Sequence, residues 1–142
     1  MRRRLFLVGV IVFAWCALGT GVRATFGTQT TADEPEYLMT AISLGEDHSH
    51  DDGDERLERR YRPFHELLLP IQTKLLPDGS RVSPHDPLLP LILAAPMRIG
   101  GWVAAKLALA ALAGVLAALT LWTAVRRFGV SERAATLTVL AF

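Results

Sequence analysis

The sequence of 142 residues has little cysteine, little net charge and almost no acidic residues near its ends. A single cysteine, Cys16, excludes an internal disulfide and a multi-cysteine zinc site. A formal net charge of +1 gives no overall basic field, which removes the electrostatic argument for nucleic-acid binding. Of the 14 acidic residues, 13 lie between Arg23 and Gly101. The chain therefore has a polar middle between apolar ends, unlike the interleaved pattern of a soluble domain.

Two apolar segments are long enough to cross a bilayer. Residues 5–22 contain no charge, and a helix of that length covers roughly 27 Å of a hydrocarbon core of about 30 Å. Residues 102–125 carry one charge, Lys106, whose amine can extend to the interface from the start of the segment. Because peptide groups in hydrocarbon must bond internally, we predict that both segments are transmembrane helices.

Basic residues flank the two segments and predict their orientation. Three arginines, at 2–4, precede the first segment, and Arg126, Arg127 and Arg133 follow the second. The positive-inside rule then places residues 1–4 and 126–133 in the cytoplasm and exports the loop of residues 23–101. The loop carries 8 Lys/Arg against 13 Asp/Glu, which agrees with export. We expect a multi-pass protein of the plasma (inner) membrane with a cytoplasmic N-terminus.

The first segment has a second interpretation as a cleaved signal peptide. Residues 2–4 would be its basic region, residues 5–18 its apolar region, and Val22-Arg23-Ala24 its cleavage motif. The apolar region is long for a signal peptide, and an arginine inside the cleavage motif is unfavourable. A transmembrane helix is the preferred interpretation.

The C-terminal segment, residues 134–142, is apolar but too short to cross a bilayer. It lies at the membrane surface, or it is the start of a third span in a longer protein. Ala110, Gly114 and Ala118 form a ladder of small residues that favours close helix packing in lipid, and hence further spans. An alanine-rich composition is the simpler explanation of the same ladder. The expected fold is all-α: two full spans, the start of a third, and short interfacial helices in a large exported loop.

Two helices are predicted inside the exported loop. Asp33, followed by Glu36 three residues later, is typical of a capping box, and apolar residues then fall on one helical face. We therefore predict a short helix near residues 33–45, with Gly45 as its stop. Residues 87–99 are apolar, contain prolines and are too short to span. They predict a second helix along the outer interface, ended by a Gly-Gly turn.

Between these helices, residues 46–62 are almost purely charged, and the chain is then interrupted by prolines through Gly79; together they predict a solvated, variable linker. The linker contains a group of acidic and histidine residues: Asp47, His48, His50, Asp51, Asp52 and Asp54. A calcium loop beginning at Asp47 would need glycine at position 52 and glutamate at position 58, and only Glu58 fits. The spacing marks no defined metal site, although these side chains offer weak ligands for a divalent cation.

Three stretches of the chain resemble the beginning of the GT-C glycosyltransferases. They are TADEPEYLMTAISL after the first span, SPHDPLLPLILAAPMRIGG before the second, and WTAVRRFG at its end. This superfamily of multi-span enzymes includes protein O-mannosyltransferases and lipid A aminoarabinose transferases. The resemblance covers nearly the whole chain but only the first part of a full enzyme. It implies that the chain is the N-terminal part of an enzyme that moves a sugar from a polyprenyl-phosphate donor to an acceptor hydroxyl.

The resemblance also implies roles for particular residues. Asp33 would be the catalytic base, with Glu34 beside it as an orienting or acceptor-binding partner. Tyr37, His85 and Asp86 would bind substrate, with His85 near the donor phosphate and Asp86 near the acceptor. From the residues alone, Asp33 is equally explained as a helix N-cap, and His85 and Asp86 as turn residues. The partners implied are the lipid-linked donor, the bilayer and an acceptor of unknown identity, with no nucleic acid and no marked cofactor or metal.

A different class of function stays open at this point. A small two-span membrane protein could use the acidic, histidine-bearing loop to bind cations or a partner. Further hydrophobic spans in the reading frame beyond Phe142 would favour the enzyme, and a stop codon there would favour the small protein.

Overall fold

The structure, a computed structural model, describes residues 1–24 and 28–141. The chain is mostly helical, as the all-α prediction requires, and forms two compact units: Met1–Thr20 with Lys106–Phe142, and Gly21–Ala105. The elements in chain order are α1 (Arg2–Leu18), a 3₁₀ turn (Gly19–Gly21), α2 (Glu34–Glu46), α3 (Gly53–Leu57), β1 (Lys74–Leu75), β2 (Arg81–Val82), α4 (Leu88–Phe128) and α5 (Glu132–Ala141). The last residue of the predicted segment 134–142, and residues 25–27 of the predicted loop, lie outside the described residues.

Two helices are long and apolar enough to cross a membrane. They cover Arg2–Gly21 and Leu88–Phe128. Large apolar side chains on both remain exposed in the protein; Phe6, for example, is 71% exposed and Trp15 78%. Helices that carry aliphatic and aromatic side chains on every face are typically found in apolar surroundings.

Helix α4 is interrupted at Gly100 and Gly101. Gly100 has φ −146° and ψ 23°, and Gly101 has φ 62° and ψ −157°. The second of these conformations is reached almost exclusively by glycine. The break divides α4 at the turn that the Gly-Gly pair predicts, with residues 88–99 before it and residues 102–128 after it.

The first unit is built from α1, the later part of α4, and α5. Its small core consists of Val8, Leu121 and Ala135, one from each helix. Arg4 at the start of α1 pairs with Glu132 at the start of α5, with 3.2 Å between Nη1 and Oε2. Further along, Ile11 of α1 lies beside Leu140 of α5. Helix α5 therefore runs alongside α1 in the same direction.

The second unit packs α2 against the first part of α4. A Cβ on Gly45 would lie 2.8 Å from the carbonyl oxygen of Ala94, so the two backbones touch at this point. The expectation that Gly45 ends the helix is wrong, because α2 continues to Glu46. Glycine is required here for the close approach rather than for a helix stop. The core of the unit contains Leu38, Met39, Tyr61, Phe64 and Leu93.

The charged first part of the predicted linker, residues 46–62, is folded. Asp52, Glu55 and Tyr61 are all buried, and α3 lies within the segment. The Ser43 hydroxyl of α2 donates a hydrogen bond of 2.6 Å to the carbonyl oxygen of Asp51. The Asp51 carboxylate accepts one of 2.8 Å from the Arg81 amide of β2. The linker prediction is wrong because the charged residues are paired with partners that are distant in sequence, a relationship that composition does not reveal.

Candidate functional site

Asp33 occupies the N-cap position of α2 but does not cap the helix with its side chain. Its backbone is helical, with φ −87° and ψ −4°, and no side-chain cap hydrogen bond forms within the described part of the chain. The carbonyl oxygen of Asp33 instead accepts from the amides of Glu36 and Tyr37. A side-chain cap needs a more extended backbone at this residue. The N-cap interpretation of the Asp33 carboxylate is therefore wrong, and that carboxylate, 55% exposed, is accessible.

Glu34 and Glu36 both lie in the first turn of α2, and they face different partners. Glu34 Oε2 accepts a 3.3 Å hydrogen bond from the Thr31 amide, three residues back, as the glutamate of a capping box does. Glu36 was expected to be that capping residue, but its side chain is fully buried against Arg56. The capping interaction is thus shifted by two residues from the predicted position.

Asp33, Tyr37 and His85 come together in the structure. Asp33 Oδ1 lies 3.8 Å from Nε2 of His85. The Tyr37 ring stacks on the same imidazole, with 5.0 Å between ring centroids and a tilt of 36°. Asp33 and Tyr37 are four residues apart at the start of α2, so they point to one side of the helix. Tertiary packing brings His85 to this side from the segment that precedes α4.

The imidazole of His85 is largely buried but does not use all of its hydrogen-bonding capacity within the described residues. Its side chain is 18% exposed, and no hydrogen-bond partner among the described residues reaches the buried Nε2 atom. Asp33 lies just beyond hydrogen-bonding distance of that nitrogen. A ring nitrogen at this distance from an accessible carboxylate can orient that carboxylate.

His85 also lines a pocket of about 290 Å³. The other lining residues are Thr40, His50, Val82, Ser83 and Pro87. Thr40 was not predicted to belong to a site, and His50 was predicted only as a weak ligand for a cation in the charged stretch. The spacing of the sequence does not place either residue beside His85, because the fold of residues 46–82 is what brings His50 to His85.

The Asp86 side chain is hydrogen-bonded to the backbone at the start of α4. Its Oδ1 atom accepts a 2.9 Å hydrogen bond from the Leu88 amide, the first residue of that helix. This is the usual arrangement of an aspartate that precedes a helix, and it accounts for an acidic residue at this position. Of the five predicted site residues, the structure joins Asp33, Tyr37 and His85, while Glu34 and Asp86 bond to nearby backbone.

A buried ionic group fixes α2 relative to α3. Arg56 Nη2 lies 2.5 Å from Glu36 Oε2 and 3.5 Å from Asp52 Oδ2. Its Nη1 atom donates to the Pro70 carbonyl oxygen at 3.3 Å. Burial raises the pKa of Glu36 and of Asp52, and the Arg56 guanidinium opposes that shift in both. The group supports the turn of α2 that carries Asp33 and Tyr37.

A second acidic group lies where α2 ends and α3 begins. Oxygen atoms of Asp47, Asp54 and Glu55 all lie within 4.8 Å of one another. Burial, followed by contact with the Asp54 carboxylate, raises the pKa of Glu55 to about 8. The pKa of Asp54 is lowered, chiefly by the same contact. These opposite shifts describe a protonated Glu55 beside an ionised Asp54.

No protein-family model, curated protein or solved structure matches the chain.

Proposed function

We propose that this chain is the N-terminal part of a membrane glycosyltransferase of the GT-C type. It would transfer a sugar from a polyprenyl-phosphate donor to an acceptor hydroxyl on the exported face of the plasma membrane. The observation that carries the proposal is the Asp33 carboxylate: it is accessible, it makes no helix cap within the described residues, and it lies beside His85. A carboxylate that is accessible and makes no helix cap among the described residues is suited to proton transfer.

The reaction assigns a proton transfer to Asp33. The acceptor hydroxyl must lose its proton as its oxygen attacks the anomeric carbon from the face opposite the leaving phosphate. A positioned carboxylate takes that proton, an effect worth about 10²–10⁴-fold in rate. The same single displacement operates on water in inverting glycosidases. Glu34 is the neighbouring acid that orients or binds the acceptor.

His85 and Tyr37 complete the proposed site. The imidazole orients the Asp33 carboxylate and supplies a hydrogen-bond donor for the leaving phosphate, while the Tyr37 ring fixes the plane of the imidazole. Asp86 lies next to His85 and is placed near the acceptor. The pocket lined by His50, Ser83 and His85 offers room for one of the two substrates.

Membrane insertion accounts for the exposed apolar surface of α1 and α4. The contact between Arg4 and Glu132 brings the start of α1 next to the start of α5. The basic residues 2–4 and 126–133 therefore lie at the same end of this helical unit, as a common cytoplasmic end requires. One substrate never leaves the bilayer, so a site in a loop between two spans is suited to this donor.

The experiment that tests the proposal is sugar transfer by membranes that contain the protein in its natural reading frame. Asp33→Asn should abolish transfer from polyprenyl-phosphate sugars and leave expression and insertion unchanged. Asp78→Asn is the matched control, because Asp78 is an exposed acid in the turn between β1 and β2. Full activity of Asp33→Asn would remove Asp33 from the mechanism. Cysteine labelling at position 33 from the cytoplasmic side alone would invert the topology and exclude the chemistry.

A further inference from the structure

Three acidic side chains meet at the junction of α2 and α3. Asp47 follows the last residue of α2, while Asp54 and Glu55 lie in the first turn of α3. One ligand oxygen from each lies within 4.8 Å of the other two, a spacing that a single cation can bridge. Asp47 and Asp54 are exposed, so an ion and its water molecules have access from solvent.

Glu55 gives this group a property that a surface cluster of acids lacks. The residue is 2% exposed, and both of its carboxylate oxygens are inaccessible and without a hydrogen-bond partner among the described residues. An ionised carboxylate buried in this way is strongly unfavourable. Either a proton or a cation must therefore accompany it, and Asp47 and Asp54 supply only further negative charge.

The basic residues nearest to Glu55 are already engaged. Arg60 donates to both oxygens of Glu46, at 2.6 and 2.7 Å. Arg56 is bonded to Glu36 and to the Pro70 carbonyl oxygen. Both guanidinium groups thus form their hydrogen bonds with other partners. A proton on Glu55 balances the group when no ion is bound, and a cation can take the place of that proton.

We propose that Asp47, Asp54 and Glu55 bind a hard divalent cation, with calcium as the preferred ion. Three carboxylates without nitrogen or sulfur ligands suit calcium, and water molecules complete its coordination. This is not the linear calcium loop that a sequence comparison would look for, because two of the three ligands belong to one helical turn. The bound ion ties the end of α2 to α3. The inference goes beyond glycosyl transfer and does not depend on it.

The test uses the whole chain in detergent micelles, stripped of ions with EDTA and titrated with calcium chloride. We expect saturable binding of one calcium ion per chain, with a dissociation constant on the order of 10⁻⁴–10⁻³ M, as in extracellular calcium modules. The unfolding temperature should rise with calcium concentration, because the ion binds only the folded state.

Glu55→Gln and Glu58→Gln form a matched pair of variants. Both replace one carboxyl group by an amide in the same short segment, but Glu58 is exposed and lies outside the group. Glu55→Gln should weaken calcium binding at least tenfold and remove the thermal shift, whereas Glu58→Gln should bind as the unmodified chain does.

A third measurement separates loss of the site from loss of the fold. Glu55→Gln keeps the shape of the side chain and cannot ionise inside the fold, so its circular dichroism should equal that of the unmodified chain, and its unfolding temperature in EDTA should equal or exceed that of the unmodified chain. Absence of saturable binding by the unmodified chain would overturn the proposal. So would equal calcium affinity of the two variants, which would show only a diffuse attraction by surface charge.

Discussion

Gly9 of α1 and Gly114 of α4 meet backbone against backbone. A Cβ atom on Gly114 would lie 2.5 Å from the carbonyl oxygen of Gly9, and a Cβ on Gly9 would lie 3.1 Å from that of Gly114. The ladder of small residues in α4 thus has a defined partner within the same chain. Close contact of this kind lets dispersion forces and backbone dipoles hold helices together where lipid supplies no hydrophobic drive.

A graded series of alanine substitutions tests this contact. Gly114→Ala should lower the free energy of unfolding by about 1–3 kcal/mol, because the new methyl group forces the two helices apart. Gly9→Ala should lower it less, since its contact is looser. Gly19→Ala meets no atom within 4 Å and serves as the control. Thermal unfolding in detergent measures all three, and equal stabilities across the series would show that the glycine contact does not hold the helices together.

Arg56→Met should destabilise the protein by about 3–5 kcal/mol, because it leaves the buried carboxyl groups of Glu36 and Asp52 without their cation. The loss should shrink as the pH falls, since burial already raises the pKa of both groups and they then take up protons. Arg60→Met is the control. It breaks an exposed pair with Glu46 and should cost at most about 1 kcal/mol. Chemical denaturation at pH 5 and pH 8 distinguishes the two variants.

The raised pKa of Glu55 predicts a pH dependence of stability in EDTA. The pKa of Glu55 is about 8 in the folded protein, whereas the unfolded chain releases this proton near the ordinary glutamate pKa of 4.5. The folded state therefore binds more protons between these values, and the free energy of unfolding falls as the pH rises through this window. Glu55→Gln should flatten the profile over pH 5–8. A profile unchanged by the substitution would place the titrating group elsewhere.

His85→Phe and Tyr37→Phe separate ring packing from chemistry in the proposed site. Phenylalanine at 85 keeps the stacking with Tyr37 but removes the nitrogen that faces Asp33, so sugar transfer should fall at least tenfold with little change in unfolding temperature. Tyr37→Phe keeps the ring that packs on His85 and should retain most of the transfer rate. Equal rates in both variants would leave the imidazole as a packing group only. The readout is the ratio of kcat to KM for the donor.

The first turn of α2 illustrates what a local pattern can and cannot predict. The helix near residues 33–45 follows from its apolar spacing, and the structure contains it as Glu34–Glu46. The predicted capping box was wrong for both of its members: Asp33 makes no side-chain cap within the described residues, and Glu36 is buried. A capping pattern counts residues along the chain, but the position of Arg56, twenty residues away, decides where Glu36 points.

The same contrast holds for the charged stretch between the two loop helices. Its composition predicts solvation, yet Asp52 and Glu55 are buried there and His50 lines a pocket with His85. No pattern in the sequence links His50 to His85. The two histidines come together because the chain returns through β2, which is hydrogen-bonded to Asp51.

The helical segments, the Gly-Gly break in α4 and the small-residue face of that helix can all be derived from the order of the residues. These properties depend on side-chain polarity and on backbone freedom, which each residue carries wherever it lies. Which carboxylates are buried, which are paired and which are accessible is settled once the chain has folded. Burial and pairing depend on atoms supplied by distant residues, and the environment they create decides whether an acid holds a proton, a guanidinium or a metal ion.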